Sequence, residues 1–355
     1  MSLCFCRLSD CGVREGGYVA LAKALRSNPS SELMELDLRG NDPGDSGVKP
    51  LYELLDHPES KLKTLRLLGA AAEEAFTDLK KVVSINLLVE RELDLSQKIH
   101  GDSGVKKLSE LLKDPHCRPT TLRLSDCGVR EEGYAALAEA LRSNPSSELM
   151  ELDLRGNHPG DSGVKPLDDL LQNKKSKLNT LRLLGAAAEE AFTDLKKVVS
   201  INLLVERELD LSQKIDGDSG VKKLSELLKD PHCRPTTLRL SQCNLTDEGC
   251  SALFQVLSSD SSTVRELDLS NNQIQDSGVR LLSDLLNNPN CKLHTVGLSQ
   301  CNLTDEGCSA LFQVLSSDSS TVRELDLSNN HIQDSGVRLI SDLLNNPNCK
   351  LHTVG

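Results

Sequence analysis

The phrase RELDLSQKI occurs at Arg91–Ile99 and again at Arg207–Ile215, 116 residues later. The longer block GAAAEEAFTDLKKVVSINLLVERELDLSQKI returns whole at that spacing, from Gly69 and from Gly185. Toward the end of the chain, LSQCNLTDEGCSALFQVLSSDSSTVRELDLSNN starts at Leu240 and at Leu298, 58 residues apart. Because 116 is twice 58, one unit of two half-repeats accounts for the chain. Each half-repeat is anchored by a Leu-x-Leu pair. Its first member falls at Cys6, Leu36, Leu65, Leu93, Leu122, Leu152, Leu181, Leu209, Leu238, Leu267, Val296, Leu325 and Val354, in steps of 28 to 30 residues. A unit this short cannot bury an apolar face alone, so the period dictates stacking of neighbours around a shared core.

Within the unit, short alternating segments such as ELDLS read as strands with their leucines inward. Each is followed by an amphipathic run such as Asp276–Asn288, where Val279, Leu282, Leu285 and Leu286 share one helical face. Strand, turn, helix and return loop then recur, which places parallel strands on one side and helices on the other. The expectation is one domain over 1–355 of about twelve repeats, with a partial thirteenth strand at Val354, uncapped at both ends.

Two strand types alternate: Leu267-x-Leu269-x-x-Asn272-x-Ile274, and Leu238-x-Leu240-x-x-Cys243-x-Leu245 continuing as Thr246-Asp247-Glu248-Gly249-Cys250. Over nearly the whole chain this pattern resembles the alternating leucine-rich repeats of ribonuclease inhibitor and of the C-terminal domains of NOD-like receptors. The tandem copies and the phrases LTDEGCSAL and IQDSGVRLLSDLL are most similar to the expanded receptors of fish. The resemblance implies an α/β leucine-rich-repeat solenoid, a right-handed horseshoe with a parallel β-sheet on its concave face and helices on its convex face. It also implies a non-catalytic protein-binding role. Two classes follow from it: the ligand-sensing repeat domain of a cytosolic innate immune receptor, or a soluble inhibitor wrapping a basic enzyme.

The recurring polar residues have structural work to do. After each strand the backbone turns sharply and leaves amides and carbonyls that water cannot reach. A buried asparagine serves both kinds of group, and Asn41, Asn157, Asn272 and Asn330 take that place, with Cys11, Cys127, Cys243 and Cys301 in the alternate type. Ala70, Ala186, Lys98 and Lys214 break the pattern, so the third, fourth, seventh and eighth repeats should be locally irregular, with GAAAEEAF entering helix early. Cys117, Cys233, Cys291 and Cys349 lie five residues before an anchor, and Cys250 and Cys308 sit on the inner face of their helices. Same-slot cysteines two strands apart are about 10 Å from one another, beyond disulfide reach. They read as free buried thiols of a reducing compartment, and Cys4 and Cys6 as the oxidation-prone ones.

Other motifs fit the repeat better than they fit chemistry. GDSG recurs at Gly44–Gly47, Gly101–Gly104, Gly160–Gly163 and Gly217–Gly220, a register that suits a helix start, with Asp and Ser meeting first-turn amides and the last Gly permitting close approach. The sequons at Asn244 and Asn302 fall in a strand-to-helix turn, and His116-Cys117 and His232-Cys233 lack a second pair at metal spacing. There is no GxxxxGK[ST] loop for a nucleotide cofactor. A net charge of −12 and 2% aromatics argue against nucleic acid and leave room for basic protein partners. No run approaches the roughly 20 apolar residues of a membrane span. The opening Met1–Arg7 has no secretory pattern, so the expectation is cytoplasmic.

The residue between the two leucines of each strand points away from the core. That column reads Arg7, Asp37, Arg66, Asp94, Arg123, Asp153, Arg182, Asp210, Arg239, Asp268, Gly297, Asp326. Its neighbour reads Glu35, Thr64, Glu92, Thr121, Glu151, Thr180, Glu208, Thr237, Glu266, Thr295, Glu324. These acids and arginines form the candidate binding face, net acidic; the plainer reading is a self-neutralising ladder of Arg–Asp pairs across the sheet. At Gly297 the ladder loses its arginine, so Asp268 and Asp326 mark where a cation or basic loop would bind. The chain begins in one strand and stops in another, from which a piece of a larger protein is expected; the resemblance to NOD-like receptors implies an upstream nucleotide-binding domain in contact with these repeats.

Overall fold

The computed structural model describes residues 4–355; Met1–Leu3, part of the opening read above for a leader, lie outside the described residues. The chain divides into two compact units, Met1–Leu183 and Leu184–Gly355. In the first, strands β1 (Phe5–Arg7), β2 (Glu35–Asp37), β3 (Thr64–Arg66), β4 (Glu92–Asp94), β5 (Thr121–Arg123), β6 (Glu151–Asp153) and β7 (Thr180–Arg182) alternate with six helices. These are α1 (Glu15–Ser27), α2 (Val48–Leu55), α3 (Ala70–Lys80), α4 (Gly101–Leu112), α5 (Glu131–Ser143) and α6 (Val164–Gln172). The second unit runs α7 (Ala186–Lys196), β8 (Glu208–Asp210), α8 (Gly217–Leu228), β9 (Thr237–Arg239), α9 (Asp247–Leu257) and β10 (Glu266–Asp268). It continues α10 (Gln275–Leu286), β11 (Thr295–Gly297), α11 (Asp305–Leu315), β12 (Glu324–Asp326), α12 (Asp334–Asn345) and β13 (Thr353–Val354). Every expected anchor lies in a strand, and all pairings are parallel. The fold is an α/β leucine-rich-repeat solenoid.

The core lies between strands and helices. Leu36, Leu38, Leu51 and Leu54 close it in the first unit, and Leu267, Leu269, Leu282 and Leu285 in the second, all buried. The asparagine ladder holds successive turns together. Asn157 Oδ1 accepts from the amides of Cys127 (3.1 Å) and Val129 (2.9 Å), while its Nδ2 donates to the carbonyls of Leu124 and Leu154, both at 2.8 Å. Asn272 makes the same four bonds to Cys243, Leu245, Leu240 and Leu269. Each asparagine thus spans its own turn and the one before it. In the alternate slot, Cys127 and Cys243 donate their thiols to the carbonyls of Leu95 and Leu211, each at 3.5 Å.

The irregular repeats fall where the sequence placed them. Helices α3 and α7 begin at Ala70 and Ala186, a few residues past their strands. In the first unit this divides the strands into two sheets, β1–β3 and β4–β7, in place of one continuous ladder. Leu65, the anchor of β3, is only half-buried as a result. Helix packing of α3 on α4 carries the chain across, together with a polar cluster. There Tyr18 Oη lies 2.7 Å from His116 Nε2, His116 Nδ1 lies 2.8 Å from Asp114, and Arg118 reaches Asp42 at 2.7 Å. With both ring nitrogens engaged, and the Cys117 thiol directed 3.6 Å to the Leu87 carbonyl, the His-Cys pair is committed to packing.

Two expectations need correction. The GDSG aspartates of α4 and α8 do not cap their own helices: Asp102 accepts from the amides of Arg130 (2.7 Å) and Gly133 (3.0 Å), and Asp218 from Thr246 (2.9 Å), at the start of the following repeat's helix. An aspartate in the first turn projects sideways onto the stacked neighbour, whose amides point toward it. Cys11, grouped above with the buried thiols, is exposed, because β1 is an edge strand and no described repeat covers that side. Cys4 is exposed as expected, and no disulfide joins the described cysteines.

Candidate functional site: the concave strand face

The strand register creates the site. Because each pair of neighbours aligns residue for residue, Glu35 faces Thr64, Asp37 faces Arg66, Glu151 faces Thr180 and Asp153 faces Arg182. The same alignment sets Asp94 beside Arg123 and Asp210 beside Arg239. The structure therefore brings the candidate residues of each sheet into two adjacent columns. The expected Arg–Asp ladder does not form. Among the described residues only Arg7 approaches its facing aspartate, 3.6 Å from Asp37. The others reach the preceding glutamate: Arg66 to Glu35 at 2.6 Å, Arg182 to Glu151 at 2.7 Å, Arg123 to Glu92 and Arg239 to Glu208 at 3.7 Å.

The cause is the turn that follows each strand. The aspartate bends forward to accept from the amide two residues on: Asp94 from Ser96 and Asp210 from Ser212 (3.1 Å), Asp268 from Ser270 and Asp326 from Ser328 (2.9 Å). At Asp37 and Asp153 the residue two on is an arginine, and it closes a second ring. Arg39 bonds Asp37 through Nε (3.0 Å) and Nη2 (2.7 Å), and Arg155 does the same to Asp153 at 3.0 and 2.6 Å. Both carboxylates are buried. The Arg39 hydrogen bonds hold Asp37 below the usual carboxylate range. At Asp153 burial works in the opposite sense, but the Arg155 and Ser125 bonds outweigh it and the pKa is again lowered. These two aspartates, counted in the sequence as binding residues, are structural.

In the second unit the same column opens into a cleft of about 540 Å³ centred on Gly297. Glu266, Asp268, Glu324 and Asp326 line it, with Arg239 at one end and Gly355 at the other. Gly297 is in register with Asp268 on one side and Asp326 on the other. A Cβ there would stand 2.7 Å from Asp268 Oδ1, so the aspartate occupies the space of the absent side chain. Thr237 and Thr295 donate to Glu266 (3.1 Å) and Glu324 (3.3 Å), which fixes the glutamates without neutralising them. Ser270, Ser328 and Gly355 also line the cleft and were not singled out in the sequence; the signal was Asp-x-Ser on strands that flank a glycine in place of arginine. The one aromatic ring of the columns, Phe5, is 39% exposed and carries the Arg7 guanidinium 5.3 Å above it.

Comparison with known proteins agrees with this geometry. A leucine-rich-repeat family model matches residues 30–51, 236–254, 260–283, 290–312 and 318–341. Pig ribonuclease inhibitor is 35% identical over 241 residues, which cover 68% of this chain and 52% of that protein. The repeats of this chain are leucine-rich repeats of the ribonuclease-inhibitor type. The mouse inhibitor is 34% identical over the same length. Human "NACHT, LRR and PYD domains-containing protein 12" is 38% identical over 231 residues, 63% of this chain and 21% of that protein. These repeats therefore resemble both the inhibitors and the repeat regions of NOD-like receptors, and span about half the length of the former and a fifth of the latter. Among the described residues no helix is long and apolar enough to cross a membrane.

Proposed function

We propose that this chain is the ligand-sensing and autoinhibitory repeat domain of a cytosolic NOD-like innate immune receptor, a non-catalytic scaffold for protein partners. The observation that carries the reading is the 38% identity to a protein whose name joins NACHT, LRR and PYD domains. In such a receptor the repeats would restrain an upstream nucleotide-binding domain by direct contact and release it when a ligand is engaged. The concave columns would make the contact, and their acids favour a basic partner. Glu266, Asp268, Glu324 and Asp326 are the strongest candidates, since no arginine lies between them.

The second reading, a soluble inhibitor of a basic enzyme, is favoured by the 35% identity to pig ribonuclease inhibitor. Against it stands the poverty of anchors. High-affinity interfaces concentrate their energy in buried Trp, Tyr and Arg. Here the columns offer one ring, and their arginines are paired to glutamates. Titrating the purified chain against a pancreatic-type ribonuclease separates the two. The receptor reading expects weak binding, on the order of micromolar, that fades with salt as exposed charge pairs are screened. Nanomolar inhibition of catalysis would assign the chain to the inhibitors.

A further inference from the structure

A second cleft, away from the concave strands, lies within Met1–Leu183 where the end of α5 and its return loop meet the end of α6 and the loop leading to β7. It encloses about 460 Å³. Leu141, Leu149, Leu170 and Leu178 supply its apolar lining, and its only charged lining residues are Arg142, Lys175 and Lys177. In a chain of net charge −12, a leucine-lined cleft with three cations and no carboxylate runs against the average surface. Lys177 is held 2.6 Å from Glu148, but Arg142 and Lys175 have no ion-pair partner among the described residues.

The internal duplication supplies a control. Shifted by 116 residues, the same framework occurs at the end of α1 and α2, and there the charges are satisfied or reversed. Arg26 pairs with Glu53 at 2.8 Å, and Glu59 stands at the position of Lys175. The four consecutive residues Asp56-His57-Pro58-Glu59 become Gln172-Asn173-Lys174-Lys175, so a segment with two acids and no lysine gains two lysines and loses both acids. The turn itself is unchanged. The Glu59 amide donates to the His57 side chain and the Ser60 amide to the His57 carbonyl; the Lys175 and Ser176 amides make the same bonds to Asn173, at 3.0 and 2.9 Å. Folding therefore does not require the lysines, and their charge is left exposed beside an apolar cleft.

We propose that this cleft is a docking site for an acidic segment of another protein, one that seats an aliphatic side chain against Leu149, Leu170 and Leu178 and lays carboxylates against Arg142 and Lys175. The proposal is independent of the concave face, and variants there leave it untouched. The test titrates a short fluorescent peptide of alternating glutamate and leucine against the full chain by anisotropy, with hydrogen exchange to locate it. Saturable binding is expected, with protection at 170–178. In a chain carrying Arg142→Ser and Lys175→Glu, binding should weaken about fivefold to tenfold. That variant keeps the turn, because glutamate already occupies the matching position 59. Lys61→Glu, in the first copy, should bind as the parent does. Four results would overturn the proposal: no saturable binding; equal binding by the double variant; equal binding of a lysine–leucine peptide or of polyphosphate; or self-association of the chain that Lys175→Glu abolishes.

Discussion

The strand that carries Asp153 and the strand that carries Asp268 share one pattern, Glu-Leu-Asp-Leu, yet their carboxylates meet opposite fates. Asp153 is buried under Arg155, with Arg182 in the facing position drawn to Glu151. Asp268 has Ser270 where the other has arginine, and Gly297 where the other faces Arg182. Two substitutions, one in the following turn and one across the sheet, convert a structural acid into one that faces an open cleft. Surface acidity in a repeat array is therefore not a property of the strand sequence. It depends on whether the neighbouring turn and the neighbouring repeat have already claimed the charge.

The comparison can be broken most directly by truncating each aspartate. Asp153→Ala should cost about 2 kcal/mol in chemical denaturation, since it removes charge-assisted bonds to Arg155 and Ser125 at a buried position. Asp268→Ala, which forfeits one half-buried turn bond and no arginine contact, should cost about 0.5 kcal/mol. Equal losses would show that the two sites are not different in kind. Next, Gly297→Arg should put a cation into the arginine column beside Asp268, whose Oδ1 moves out of the space the new Cβ takes. Binding of a basic probe protein should fall about tenfold while stability shifts by less than about 1 kcal/mol. Undiminished binding would move the contact off this cleft.

The smallest expected effect is in the acid limb. Asp37 and Asp153 have pKa values lowered in the fold, so their stabilisation is fully present above the unfolded value, near 3.9, and disappears as pH drops through the folded one. The denaturation midpoint of the parent should therefore drop below about pH 4, and less steeply in Asp153→Asn. Matching slopes in parent and variant would mean that the arginine clamp does not hold the carboxylate ionised.

Period, strand anchors, helix faces, the asparagine ladder and the early helices at Ala70 and Ala186 were all legible from residue order, because they follow from local periodicity and from the fixed bonding needs of a turn. The site was legible only as columns. That Gly297 interrupts them could be read from the residues; that Arg66 prefers Glu35 to Asp37 could not, since the aspartate's commitment to its turn appears only when backbone amides are placed in space. Likewise, the approach of Tyr18 to His116, 98 residues away, and the capping of one repeat's helix by the previous repeat's aspartate arise from stacking. A sequence specifies which groups each repeat carries. Which of them meet is decided by the sideways offset between repeats, a distance that no single repeat contains.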